Sequence, residues 1–211
     1  MSGPGATGRN RGGPEERPPE LHDVWLARHG ETEWARLGRH TGRTDIPLTD
    51  TGREQAQELG RRLAGHDFAL VLTSPLSRAV ETARLAGFGN RAIVDEDLRE
   101  WDYGAFEGQL TADIRTAHPG WTIWHGPWIG GERVENVEAR ADRIVARLRA
   151  ARGESLVFGH GHMLRVLAAR WLGLAATAGQ LFALGTATLS ILGWERETAV
   201  IEAWNEVCRD G

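Results

Sequence analysis

An arginine and a histidine stand side by side at positions 28 and 29, directly after the apolar run DVWLA (23–27) and directly before Gly30. At the end of a buried strand, that pairing places a permanent cation beside a titratable nucleophile. Gly159-His160-Gly161-His162 follows a second apolar run, SLVF (155–158), in the same way. A third run, ALVLT (69–73), leads into Ser74-Pro75-Leu76-Ser77-Arg78, which sets Arg78 in the first turn of a helix. Guanidinium forks match phosphate or carboxylate oxygens two at a time. Helix N-termini add unpaired N–H groups and a favourable dipole. The chemistry these residues suit is capture of an oxyanion, with histidine at hand.

Such convergence requires the three runs to end at one edge of a sheet. Further strands are expected at RAIVD (91–95), ATLSILGW (187–194) and TAVIEAW (198–204), the last two as a hairpin. Helix-period stripes lie between them. Thr49 or Thr51 caps a helix carrying Ala56, Leu59 and Leu63. Ser74 is expected as an N-cap with Pro75 at the first helical position, burying Leu76, Ala79, Val80 and Ala83 on one face. A short helix is expected near 110–117, a long one through Val134, Val137, Ala141, Ile144 and Leu148, and another from about 162 to 172. Strands alternating with helices predict an α/β sandwich with a mostly parallel central sheet. Ligands bind such sheets outside the carboxyl ends of the strands.

Composition narrows the classes. A chain of 211 residues, 41% hydrophobic, is long enough for one well-buried core. The net charge of −4 argues against a nucleic-acid partner. All 25 basic residues are arginine, which removes a lysine Schiff base and a Walker-type phosphate loop. Cys208 is the only cysteine, so neither an intrachain disulfide nor a thiolate cluster forms. No apolar run is long enough for a membrane span. Residues 1–20, rich in glycine, proline and charge, read as a disordered tail without a signal-peptide core. A cytoplasmic single domain over 21–211 is expected, with 101–131 as a small lid. His22, His40, His66, His118 and His125 read as ordinary polar positions, and Trp194 and Trp204 as core. His160 and His162 have the spacing of a metal pair, but no third ligand cluster accompanies them, so no metal or other cofactor is expected.

RHGET (28–32), TG (41–42), SPLSRAVETA (74–83), LREWDYGAFEG (98–108) and GHGHMLR (159–165) together resemble the histidine phosphatase superfamily, in its phosphoglycerate mutase-like branch. The resemblance covers residues 22 to 172 with the motifs in order. It implies a three-layer α/β/α fold and a small phosphate ester as substrate. His29 would take the phosphoryl group, Arg28, Arg78 and His160 would hold its oxygens, and Glu100 would serve as acid and base. Thr41, Gly42, Tyr103, Gly161 and His162 match positions near the substrate.

Two departures favour hydrolysis over mutase-type transfer. Ala35 stands where mutases of this family place an asparagine, and Phe106 to His125 contains Arg115 as its only cation. EWDYGAFEG, Ile123-Trp124 and HGHMLR are similar to acid phosphatases and a sedoheptulose bisphosphatase, which implies a phosphorylated sugar or polyol. Arg133 stands where this pattern often has serine after GGE, and three tryptophans (121, 124 and 128) either stack on a sugar ring or pack the cap. A mutase and a non-catalytic phosphate-binding protein remain the alternatives; monomer and homodimer are both open.

Overall fold

In the computed structural model, which describes residue 18 and residues 20–208, the apolar runs become strands of a single sheet. Most of the expected tail lies outside the described residues. In chain order the elements are β1 (Val24–Arg28), α1 (Glu33–Arg36), α2 (Asp50–Leu63), β2 (Leu70–Thr73), α3 (Ser77–Leu85) and β3 (Ile93–Val94). Then follow α4 (Thr111–Ala117), α5 (Val134–Arg149), β4 (Ser155–Gly159), α6 (Gly161–Trp171), β5 (Thr188–Glu195) and β6 (Thr198–Val207). The sheet order is β3-β2-β4-β1-β5-β6. The first four strands are parallel, and the hairpin β5–β6 joins β1 antiparallel.

Strand periodicity divides the core in two. Leu26, Leu72 and Val157 face α5 and α6, where Val137, Ile144, Leu164 and Leu167 are buried. Ala27, Val71, Leu156 and Phe158 point the other way, onto Leu59 and Leu63 of α2 and Ala83 of α3. The result is the expected three-layer α/β/α sandwich. All five residues of β4 are buried, as the reading of a central parallel strand requires. Each large apolar side chain taken out of water here contributes roughly 1.5–3 kcal/mol.

Several sequence expectations need correction. α3 starts at Ser77 with Leu76 as its N-cap residue, not at Pro75. The Ser74 hydroxyl accepts from Leu76 N–H at 3.3 Å and bonds His160 Nε2 at 2.7 Å, so a tertiary contact takes the group expected to cap the helix. Val80 is 38% exposed. β3 is two exposed residues at the sheet edge. Trp194 and Trp204 are half-buried at the rim of the core, their indole N–H groups donating to His22 O and Ala183 O. Thr49, not Thr51, caps α2, accepting from Gly52 N–H at 3.0 Å. Among the described residues no helix is long and apolar enough to cross a membrane.

Candidate active site

The sheet register brings the chemistry together. Arg28 pairs with Gly159 across β1 and β4, and Thr73 pairs with Phe158 across β2 and β4. His29 N–H extends the ladder to Gly159 O, and Ser74 N–H to Phe158 O, both at 3.0 Å. Arg28-His29, Ser74 and His160 therefore leave three adjacent parallel strands at one edge. Gly30 allows the turn that follows. A Cβ there would lie 2.2 Å from Gly52 O, so the first turn of α2 sits directly against the loop carrying His29.

His29 is 4% exposed. Its Nδ1 lies 2.7 Å from Gly30 O, and because a carbonyl only accepts, Nδ1 carries the proton and Nε2 keeps its lone pair. Burial, then the charges of Arg78 and Arg28, hold its pKa well below the ordinary 6.5, partly opposed by the Gly30 bond. The ring is neutral at neutral pH, the state a nitrogen nucleophile needs.

His160 is the N-cap residue of α6, its ring centroid 5.1 Å from that of His29. Its Nδ1 accepts from Arg78 Nε at 3.2 Å, which leaves Nε2–H to donate to Ser74 Oγ. Arg78 is fully buried, and its remaining donors hold the carbonyls of Thr41, Gly42 and Thr44 at 3.2, 2.9 and 3.0 Å. Burial pulls the pKa of Arg78 down while Glu100 and Asp45 oppose that shift. Arg28 donates through Nη1 to Leu184 O, and its Nε is buried without a protein partner. The guanidinium lies against Gly161, where a Cβ would come within 3.3 Å of Cζ.

Glu100 reaches the N-terminus of α6 from the loop beyond β3. Its Oε1 accepts from Trp101 N–H and Met163 N–H at 2.9 and 2.8 Å, and Oε2 accepts from His162 N–H at 2.9 Å. The helix end supplies two of these three donors, as expected of unpaired N–H groups there. Tyr103 bonds His162 Nδ1 through its hydroxyl at 2.6 Å. Burial keeps the phenol protonated and, with Arg165, His40 and Arg28, keeps His162 neutral.

Arg28, His29, Thr41, Glu100, Tyr103, Gly161 and His162 all line one cavity of about 190 Å³. Arg78, His160 and Gly42 do not line it: the His160 ring packs on His29, Arg78 bonds His160, and Gly42 N–H donates to Glu107 Oε1 at 2.8 Å. Three basic residues on the cavity wall were not among the expected site residues. His40, assigned from the sequence to the ordinary polar positions, packs on Tyr103 and Trp121, and burial lowers its pKa to about 4. Arg39 precedes it, and Arg165 comes from the second turn of α6. Arg165 stands four residues after Gly161, so helical spacing was its available signal. Arg115 does not reach the cavity; its Nε holds Trp121 O at 2.8 Å. Trp121 and Trp124 are buried as packing, and Trp128 is partly buried. Among the described residues no group of three or more His, Cys, Asp or Glu side chains is placed to hold a metal ion.

A neutral imidazole with one free nitrogen, set among guanidinium groups at the carboxyl edge of an α/β sheet, is the equipment of an enzyme acting on phosphate monoesters. Comparison with known proteins agrees. The model of the histidine phosphatase superfamily (branch 1) matches residues 24–207, and the chain belongs to that family. It is a phosphoric monoester hydrolase of the histidine phosphatase type. An acid phosphatase of Mycobacterium tuberculosis is 43% identical over 188 residues, spanning 85% of this chain and 92% of that protein. A sedoheptulose 1,7-bisphosphatase of Saccharomyces cerevisiae is 34% identical over 181 residues, spanning 71% and 67%. A solved structure of an open reading frame product from Mycobacterium tuberculosis superposes with a TM-score of 0.84 at 39% identity, covering 89% of this chain and 99% of that one.

Proposed function

We propose that the protein is a metal-independent phosphatase that hydrolyses a small phosphorylated metabolite, a sugar or polyol phosphate, through a phosphohistidine. The observation that carries this reading is the fixed tautomer of His29, with Nδ1–H held by Gly30 O and Nε2 free beside Arg28. Nε2 attacks phosphorus, the ester P–O bond breaks, and Glu100 gives its proton to the departing alkoxide. Water then attacks the phosphohistidine, the P–N bond breaks, and Glu100 takes the proton from that water. Arg28, whose Nε has no protein partner, supplies donors where the phosphoryl oxygens gather, and buried Arg78 adds positive charge beside His160. Segment 101–131 serves as the cap over the cavity, contributing Tyr103 to its wall. The relatives named as phosphatases support hydrolysis, as do Ala35 on the wall and Arg115 turned into its own loop.

The test is phosphate release from a panel of phosphorylated metabolites in the presence of a chelator, with His29→Ala alongside. Release that persists with chelator and disappears in a folded His29→Ala variant is the expected result. An unchanged rate in that variant would sink the mechanism.

A further inference from the structure

Glu100 is the acid and base of the proposed reaction, yet it stands in a stretch that belongs to neither a helix nor a strand. A carbonyl in such a stretch needs a partner from elsewhere once it leaves water. Arg140 on α5 serves two of them, its Nη1 donating to Asp97 O at 2.6 Å and to Arg99 O at 2.9 Å. Glu132, just ahead of α5, holds the other side. Its Oε2 accepts from Asp102 N–H at 3.1 Å, its N–H donates to Asp102 O at 2.9 Å, and its carbonyl accepts from Trp101 Nε1 at 2.8 Å. The backbone is thus gripped at Asp97, Arg99 and Asp102, on both sides of Glu100.

The two grips are one unit. Arg140 donates to Glu132 through Nε and Nη2, each at 2.9 Å, in the paired geometry that a guanidinium fork allows. The two side chains are only 13% and 16% exposed, so salt and water screen the pair little. Val137, Ala141 and Ile144, buried against the sheet, fix α5 and with it the root of Arg140. Arg140 Nη1 also lies 3.6 Å from Sδ of Met163, whose N–H donates to Glu100 Oε1. Neither Arg140 nor Glu132 lines the cavity that reaches His29; both face a separate groove with Arg43, Glu96, Asp97 and Arg99. The pair therefore acts on an ester in that cavity through Glu100, not by touching it.

We propose that Arg140 and Glu132 are positioning residues for proton transfer: their ion pair holds the chain so that the Glu100 carboxyl reaches the departing ester oxygen. This rests on the phosphatase reading and extends it to two residues outside the cavity. Three N–H groups orient the Glu100 carboxylate, but it meets them only while the chain from Arg99 to Asp102 keeps its course. A lysine at position 140 keeps a positive charge beside Glu132 but lacks the fork that also reaches Asp97 O and Arg99 O.

The experiment compares kcat/KM for p-nitrophenyl phosphate and benzyl phosphate, esters of similar size. This constant reports events through cleavage of the P–O bond; p-nitrophenolate departs without a proton, whereas the benzyl alkoxide needs one. Loss of folded protein lowers both constants alike and leaves their ratio unchanged. Arg140→Lys is expected to raise the ratio of p-nitrophenyl to benzyl hydrolysis by about tenfold or more, in the direction of Glu100→Gln. If Arg140→Lys does not fold, Glu132→Gln takes its place. A ratio within about twofold of the parent overturns the inference. If the parent hydrolyses neither ester, or Glu100→Gln leaves the ratio unchanged, the assignment of Glu100 as acid fails separately, and amide exchange decides the clamp. In Arg140→Lys the N–H groups of His162 and Met163, both held by Glu100, are then expected to exchange about tenfold faster, while Leu156 and Val157 of β4 keep their rates. Parent rates at His162 and Met163 overturn it.

Discussion

His29 has two ring nitrogens, and the bond to Gly30 O at 2.7 Å commits one of them, so the local backbone decides which atom can react. Glu100 is fixed more firmly still, with three N–H groups converging on its two oxygens. An amide at this position has one acceptor oxygen and turns an NH₂ group toward the remaining donors. Glu100→Gln therefore removes the proton carrier and leaves at least one buried N–H unpaired. The expected result is a fall in kcat of about 10²–10⁴, together with about 1–3 kcal/mol of lost stability read from urea unfolding. A kcat within twofold of the parent would remove Glu100 from the mechanism. The pairing of these effects is informative, because Glu100 is both reagent and cap for the first turn of α6.

The β5–β6 hairpin shows how an element remote in sequence shapes the site. Asn205 in β6 has a φ of 59° and lies opposite a register irregularity in β5. Its N–H donates to Ser190 Oγ at 3.0 Å, and its side-chain oxygen accepts from Gly185 N–H at 2.7 Å. Trp204 holds Ala183 O, and Ala187 N–H holds His29 O at 3.0 Å. Segment 183–187 is thus strapped down so that Leu184 O can orient Arg28. Asn205→Gly keeps the backbone conformation but deletes the acceptor, and is expected to raise KM severalfold with a smaller change in kcat. Asn205→Asp, which retains both features, should restore it; no rescue would show that the strap does not act through Gly185. Segment 183–187 was not legible in the sequence because it works through a backbone carbonyl, which any residue type provides. The late start of α3 was hidden for a related reason: Ser74 carries a cap signal, but its hydroxyl is engaged by His160 from another strand. By contrast β1, β4 and α5 were legible, since burial on fixed faces imposes their apolar periods. The site was legible wherever a strand end carried a charged residue, as at Arg28 and His160. It was not legible at His40 or Arg165, whose roles depend on which way a loop and a helix face point.

Across the whole molecule, a chain of net charge −4 gathers Arg28, Arg39 and Arg165 around one cavity and sets buried imidazoles beside them. His29, His40, His160 and His162 all hold pKa values below the ordinary 6.5, with burial as the largest cause in each. In the unfolded chain these rings regain the ordinary value. Below pH 6.5 the unfolded state therefore binds more protons than the folded one, and stability rises with pH through that window. The contribution is fully present above 6.5 and is lost as pH falls toward the folded values. For His40, whose value falls to about 4, the loss over that span is on the order of 3 kcal/mol. Asp97, held below the usual 3.8 by Arg143, and Glu135, held below the usual 4.5 chiefly by a backbone bond, add their losses toward the acid end, so the interval from 6.5 to about 5 reports chiefly the histidines. Urea midpoints measured from pH 7.5 down to 4.5 should decline progressively, and His40→Gln should flatten that decline. A midpoint constant across the interval would mean that these rings can be protonated without loss of the fold. The neutral, preorganised site inferred from their burial would then be wrong.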